Sequence, residues 1–490
     1  MLTDIRTGTP GPQQMLRAAS VLLALLGHWS PAACISSTHG DDLLQDVHAR
    51  VYVADLPPKY NLHIIAKEGC EDGRFLKEML ANPLGPLFES SLDVALYRET
   101  PYYSLELHMH LQVLYSPLRV LTPEEADVVY VPFYGTQLWA DLGGGEGACK
   151  PNWTEAAQDE LVAQFWADAP ALLPTLGAKP HWMQLSEIEW MIHRGCGDGW
   201  GIPIACHPLA AHVTFATPEA LSELHPTAFR QRYYGREPAN NNSVAIPYLG
   251  HIHRVSMQNR AKLLAEEGVA AKKEFLASMS FGSMRWAYLR MNLTEQCKAE
   301  PDECWYVQYN SFAEVIDSYR RAWFCVQPYG DSPTRSALLD CIASGLSVPC
   351  VFDEYLFDML PFSDVVDFRS MMAYVAEEDV IAPGGNLLRT LRAYSNDTRA
   401  AMLSTVQRMS HAFQYAVQPN HLLVRHDSLA TVHPLDDAFT MSFKAVLRHA
   451  CKRAHHHCHK PKGGHGLGRR GSAGDASLAL EANRRAAEAG

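Results

Sequence analysis

Apolar and polar positions along this chain fall into blocks that read in turn as strands and helices. Arg50 to Ala54 (RVYVA) is a short apolar run that stops at Asp55-Leu56-Pro57-Pro58, as a first strand would. Leu105 to Leu114 carries apolar residues at helical spacing and predicts an amphipathic helix. Ala126 to Phe133 (ADVVYVPF) is nearly continuous in apolar residues, the pattern of a strand buried on both faces of a parallel sheet. His181 to Leu185 and Val244 to Pro247 are further strand candidates, with a helical pattern from Trp153 to Leu173 among them.

A second series starts near Val269. Phe275 to Phe281 predicts a strand, Met284 to Cys297 a helix, and Phe312 to Arg320 another helical stretch. Val365 and Val366, with Ala376 to Ile381, continue the pattern, and Leu387 to Tyr415 reads as helical. Strands alternating with helices predict an α/β fold with mostly parallel sheets. The series breaks around residues 250 to 270, so two lobes are expected, with ligands in the cleft between them. The boundaries read from the sequence are 1–35 for a signal peptide or signal anchor, 36–49 for a short stem, 50–260 and 261–450 for the lobes, and 451–490 for a disordered tail.

Within the second series, Trp323 to Asp353 (WFCVQPYGDSPTRSALLDCIASGLSVPCVFD) is the richest stretch in chemistry. A strand ends at Pro328, turn residues Gly330 and Asp331 follow, and a helix is expected to begin with Ser332 as its cap and Pro333 in its first turn. Leu338, Leu339, Ile342 and Ala343 form its apolar stripe, Gly345 its stop, and Ser347 to Phe352 the next strand. Free backbone N–H groups, the helix dipole and Arg335 would make this helix start a site for a phosphate or diphosphate. Asp340 could accept hydrogen bonds from ribose hydroxyls; a structural ion pair with Arg335 is the competing reading, weakened by a spacing of five.

Composition narrows the function classes. The chain has 490 residues, 47% of them hydrophobic and 20% charged, which describes a globular protein. A net charge of −12 offers no basic surplus for nucleic acid. Four sequons (at Asn152, Asn241, Asn292 and Asn396) suggest the secretory route. So does the apolar segment Ala18 to Gly27 behind Arg6 and Arg17, which resembles a signal-peptide core or a short anchor. The body of the protein would then be lumenal or extracellular, where disulfides form. Cys297 with Cys304, or Cys196 with Cys206, are plausible loop staples among the 12 cysteines, although pairing cannot be read from sequence.

Other chemistries lack their motifs. No Walker A sequence, dinucleotide-binding glycine pattern, H-E-x-x-H or G-x-S-x-G is present. Gly143 to Gly147 reads as a flexible loop. His108 and His110 do not have the spacing of a helical metal pair, and Cys451 to His459 matches no structural zinc pattern.

The run Phe324 to Arg335, with Asp340 and Ala343-Ser-Gly345, resembles the signature of exostosin-family glycosyltransferases, glycosyltransferase family 47. Other marks agree in order: Val51 to Pro58, Glu124 to Tyr134, Ala245-Ile-Pro-Tyr248, Phe281 to Arg285 followed by Arg290, and Tyr355 to Phe362. The resemblance covers about residues 50 to 415. It implies a GT-B fold of two Rossmann-like lobes with a cleft between them, and inverting transfer from a nucleotide-sugar, taken as a UDP-sugar, to a polysaccharide or glycoprotein glycan. It also implies a Golgi membrane location on the lumenal side, with secretion as the alternative. No cofactor is expected, because helix N-terminus and arginine replace a metal at the diphosphate. Membrane anchor and homo- or hetero-oligomer stay open as partners. The competing reading is a non-catalytic exostosin-like glycan-binding or partner subunit.

Carried over by residue, Gly330, Asp331, Ser332, Thr334 and Arg335 would form the diphosphate loop, with Asp340 near the ribose. Arg285 and Arg290 would add charge facing the leaving group, a surface-helix arginine being the alternative for Arg290. Inverting transfer needs a general base. Where the family tends to show GRDHF and then an acidic residue, this chain has Ala178-Lys-Pro-His-Trp182 followed by Glu187 and Glu189, the two base candidates.

Overall fold

A computed structural model describes residues 50–66, 95–97, 100, 104–116, 118–139, 155–188, 192, 203–220, 242–254, 273–282, 288–308, 311–330, 332–415 and 437–453. In its first half the strands are β1 (Val51–Val53), β2 (Ala95–Tyr97), β3 (Arg119–Val120), β4 (Val128–Val131), β5 (His181–Gln184), β6 (Val213–Thr217), β7 (Ser243–Ala245) and β8 (Ile252–Arg254). The second half adds β9 (Phe275–Met279), β10 (Cys304–Tyr306), β11 (Ala322–Val326), β12 (Val348–Val351) and β13 (Ala373–Tyr374).

Two sheets result, both wholly parallel. The first runs β3-β1-β4-β5-β6-β7 and the second β10-β9-β11-β12-β13. A two-stranded antiparallel ladder, β2 with β8, stands apart. In each large sheet the chain steps outward once and then returns past its first strand. The direction reverses between β1 and β4 in one sheet and between β9 and β11 in the other. Such a reversal opens a crevice beyond the carboxyl ends of the two strands, where ligands bind in open α/β sheets.

The strand predictions at 50–54, 126–133, 181–185 and 275–281 each contain a strand of the structure, and that at 244–247 overlaps β7. β4 is buried at all four positions, as a central parallel strand should be. β6 and β13 escaped the sequence reading: threonines interrupt the apolar run of β6, and β13 has only two residues. The helix Leu105–Tyr115 forms as predicted but is not amphipathic, because Glu106, His108 and Gln112 are buried along with its leucines. One side packs Leu105, Met109 and Val113 with Val51, Val128 and Tyr130; the other packs Leu107 with Phe133 and Leu185.

The last described helix, Ala438–Arg453, extends past residue 450 and bridges the lobes: Met441 and Ala445 share a cluster with second-lobe residues and Arg448 pairs with Asp364 at 3.0 Å. Phe439, Phe443, Val446 and Leu447 pack with Trp182, Ala216 and Ile246 of the first sheet, the rings of Phe443 and Trp182 lying 5.7 Å apart. Among the described helices, none is long and apolar enough to cross a membrane. The N-terminal segment and stem read from residues 1–49 lie outside the described residues, as does the tail from 454 onward.

Cys297 and Cys304, one of the two plausible staples, form a disulfide. A second disulfide, Cys325–Cys341, ties β11 to the helix Ser336–Ser344 that follows it. Cys206 is also disulfide-bonded.

Candidate functional site: a loop at the lobe interface

Strand β11 sits in the middle of the second sheet, and Pro328 ends its ladder soon after Val326. The loop then runs to Arg335, where the helix Ser336–Ser344 begins. That start lies beyond the expected Ser332 cap. Arg335 is the cap residue, with extended φ and ψ of −152° and 146° and no side-chain cap hydrogen bond. The helix ends as predicted, at Gly345 in left-handed conformation with φ 70°.

The missing cap has a tertiary cause. Ser332 Oγ donates to Glu219 Oε2 of the first lobe at 2.7 Å, and Thr334 Oγ1 donates to the same oxygen. Glu219 stands just past the carboxyl end of β6, where Thr217 Oγ1 donates to its main-chain carbonyl at 2.5 Å. Tyr248, beyond β7, brings its hydroxyl to 3.4 Å from Thr334 Oγ1. All four side chains are buried. The carboxyl ends of the two sheets therefore face each other across this contact. Apolar packing continues it, with Ile188, Tyr248 and Ile252 in one cluster with Leu338, Leu339 and Ile342.

Asp340 belongs to the same interface. Its Oδ1 accepts from the backbone N–H of His251 at 2.7 Å, and its Oδ2 lies 2.9 Å from His251 Nδ1. A side chain at Gly250 would collide with Asp340 Oδ1, so glycine is what allows the approach. Both oxygens of the residue expected beside a ribose thus face the first lobe.

Arg290, on the helix Tyr288–Ala299, is buried and is not a surface arginine. Its Nε and Nη2 donate to the Tyr329 carbonyl at 3.0 and 2.7 Å, and its Nη1 to the Gly282 carbonyl at 3.3 Å. One guanidinium therefore joins the loop after β9 to the loop after β11, across the point where the strand order reverses. Gly330 rests against it: a Cβ there would lie 3.2 Å from Arg290 Nη2. Arg335 Nη1 donates to the Pro328 carbonyl at 3.3 Å, which folds the arginine back over the loop. Gly330, Arg335, Ser336 and Ala337 are only partly buried, so the loop tip and helix start reach the surface of the lobe. The first N–H groups of such a helix have no intrahelical carbonyl.

On the first lobe, Glu187 follows β5, is buried, and accepts from the next backbone N–H, that of Ile188, at 2.9 Å. The adjacent Ser186 is fixed by two contacts: its N–H donates to Thr136 Oγ1 at 2.9 Å and its Oγ accepts from Glu106 N at 3.2 Å. His181 lies at the opposite end of β5, with Nδ1 2.8 Å from the Lys179 carbonyl. Burial lowers its pKa to about 4. Arg285, Asp331 and Glu189 are outside the described residues. Among the described residues no cluster of three His, Cys, Asp or Glu side chains could hold a metal ion. Glu219 and His251 escaped the sequence reading. The only local signal for Glu219 was VTFAT ahead of it, a strand whose apolar run is interrupted by Thr214.

A family model, the Exostosin GT47 domain, matches residues 45–391. The chain belongs to the exostosin GT47 family. Its two parallel α/β lobes are the arrangement expected of a GT-B fold, and the loop from Gln327 to Arg335 lies within the matched region of this exostosin chain. The protein is 25% identical over 422 residues to "Xyloglucan-specific galacturonosyltransferase 1" of Arabidopsis thaliana, covering 82% of this chain and 57% of that one. It is 23% identical over 345 residues to "Probable glucuronosyltransferase GUT1" of Oryza sativa subsp. japonica, covering 68% of each. This exostosin chain thus spans little more than half the length of the first relative. Arabidopsis thaliana UGT89C1, solved with quercetin, aligns over 71% of this chain and 77% of its own at 10% identity and a TM-score of 0.29, too slight a likeness to argue from.

Proposed function

We propose that this exostosin-family chain is an inverting glycosyltransferase that moves a sugar from a UDP-sugar to a polysaccharide or glycoprotein glycan. One observation carries the proposal: a strand, loop and helix start with an arginine, at the reversal point of a parallel sheet, turned toward a second sheet's carboxyl edge. The acceptor hydroxyl oxygen attacks the anomeric carbon, the bond from that carbon to the diphosphate breaks, and the hydroxyl proton passes to a carboxylate of the first lobe. Glu187 and Glu189 are the proposed bases.

Arg335 and the helix N–H groups, framed by the loop Gly330 to Thr334, would take the charge that develops on the leaving diphosphate. The relatives are named for different sugars, galacturonic acid in one and glucuronic acid in the other, so the donor sugar is left to experiment. A Golgi lumenal location is part of the proposal and rests on the sequons and the N-terminal apolar segment.

Arg335→Ala tests it. Removing one charge-assisted donor to the leaving group should lower donor turnover on the order of 100-fold, with the unfolding temperature little changed. Wild-type turnover in that variant, measured as UDP release over a panel of UDP-sugars, would sink the assignment.

A further inference from the structure

A hydroxyl carries a single hydrogen, and this decides what Ser332 and Thr334 can do. The shortest contact of each hydroxyl runs to one oxygen of Glu219. Ser332 Oγ lies farther, at 3.3 Å, from the Thr334 carbonyl, and Gly330 N–H is taken by the Ser332 carbonyl at 2.9 Å. In this arrangement the two hydroxyls present lone pairs elsewhere, which a phosphate oxygen cannot use. Among the described side chains of the loop, Arg335 is then the diphosphate donor, beside the N–H groups of the helix start. We propose that Glu219, a carboxylate of the first lobe, is the positioning residue of the donor loop: it holds Ser332 and Thr334 in trans and so sets the loop's shape for the diphosphate. The inference rests on the UDP-sugar reading and specifies how that site is built.

Three features support the role. Glu219 is fully buried, so its charge must be answered by hydrogen bonds, and two come from the loop. Tyr248 adds a contact to Thr334 from the neighbouring strand end. Asp340 and His251 fasten the next helix to the same lobe edge. The donor loop is therefore fixed at its hydroxyls and at the helix behind it, while Arg335 and the loop tip stay partly open.

The test compares the full chain with Glu219→Gln, Glu219→Asp and Glu219→Ala by calorimetric titration with UDP and by donor-saturation kinetics. Glu219→Ala should weaken UDP binding and raise the donor KM about tenfold, with kcat within about twofold. Glu219→Gln keeps an acceptor oxygen in place and should recover most of the affinity. Glu219→Asp keeps the charge but withdraws it by one methylene, and should bind UDP less well than Glu219→Gln even if Glu219→Ala does not fold. In a Ser332→Ala/Thr334→Val background the change at Glu219 should add little.

UDP binding by Glu219→Ala or Glu219→Asp equal to or tighter than wild type would overturn the role and leave the donor site standing. An undiminished effect of Glu219 in the background lacking both hydroxyls would do the same. A wild-type chain that binds no UDP at millimolar concentration would remove the donor site, and this role with it.

Discussion

Arg290 and Glu219 are the two residues around which the loop is organised, and neither touches it through its own stretch of sequence. Arg290 satisfies two main-chain carbonyls with three donor atoms in a planar fork. A lysine could reach one of those carbonyls but not span both. Arg290→Lys should therefore cost on the order of 1–3 kcal/mol for the carbonyl left unpaired, seen as a lower midpoint in urea, together with reduced donor turnover. An unchanged midpoint would mean that the loops after β9 and β11 hold their shape without it. The sequence placed Arg290 near the site but left it between a leaving-group charge and a surface arginine. Glu219 could not be read at all: its two partners lie 113 and 115 residues away, and no local spacing encodes such a contact.

At the scale of elements, the buried helix Leu105–Tyr115 links the first lobe to pH. Glu106 accepts from the backbone N–H groups of Thr136 and Gln137 at 2.8 and 3.3 Å, yet burial raises its pKa to about 8. One turn later, burial lowers the pKa of His110 to about 3. A carboxyl with a raised folded pKa adds stability that is complete below its unfolded value and is lost as pH rises through about 8. Histidines with lowered folded pKa values, His110 and His181, add stability above about 6.5 that is lost as pH falls through their folded values.

These three groups give a stability maximum near pH 6.5, with two histidines outweighing one carboxyl on the acid side. Above pH 7 Lys273, its pKa lowered by burial to about 7, opposes the fall. Glu106→Gln should remove the downward contribution between about pH 6.5 and 8 in thermal unfolding and steepen the acid limb, where the carboxyl opposes the two histidines. A variant that loses stability over that interval as steeply as wild type would exclude Glu106 as the cause. The helix itself was legible from its apolar spacing. Its buried polar residues were not, because periodicity reports which face is apolar and not what covers the other. The helix after β11 shows the same limit: Gly345 was readable as a stop, whereas Ser332 lost its expected capping role to a carboxylate of the other lobe.

For the whole molecule, the two-lobe α/β plan was legible in the order of apolar runs, and the ownership of the last helix was not. An apolar stripe announces a buried face without naming the sheet that buries it. Phe439, Phe443, Val446 and Leu447 each contribute about 1.5–3 kcal/mol of burial against the first sheet, which together rivals the net stability of a domain. Ending the chain before residue 438 should therefore unfold the first lobe and abolish soluble expression, although the loop and Arg335 lie far upstream. Soluble, folded truncated protein with wild-type thermal unfolding would show that the helix is dispensable.

The disulfide between Cys325 and Cys341 closes a ring around the whole loop from Gln327 to Arg335, with 16 positions separating the two cysteines. A ring of that size removes about 3 kcal/mol of chain freedom from the unfolded state. Production history thereby enters the biochemistry. Protein made in a reducing cytosol would carry the same residues on an unstapled loop, and its donor constants would describe a different molecule from one folded under oxidising conditions. Thiol content belongs beside concentration in any assay of this chain.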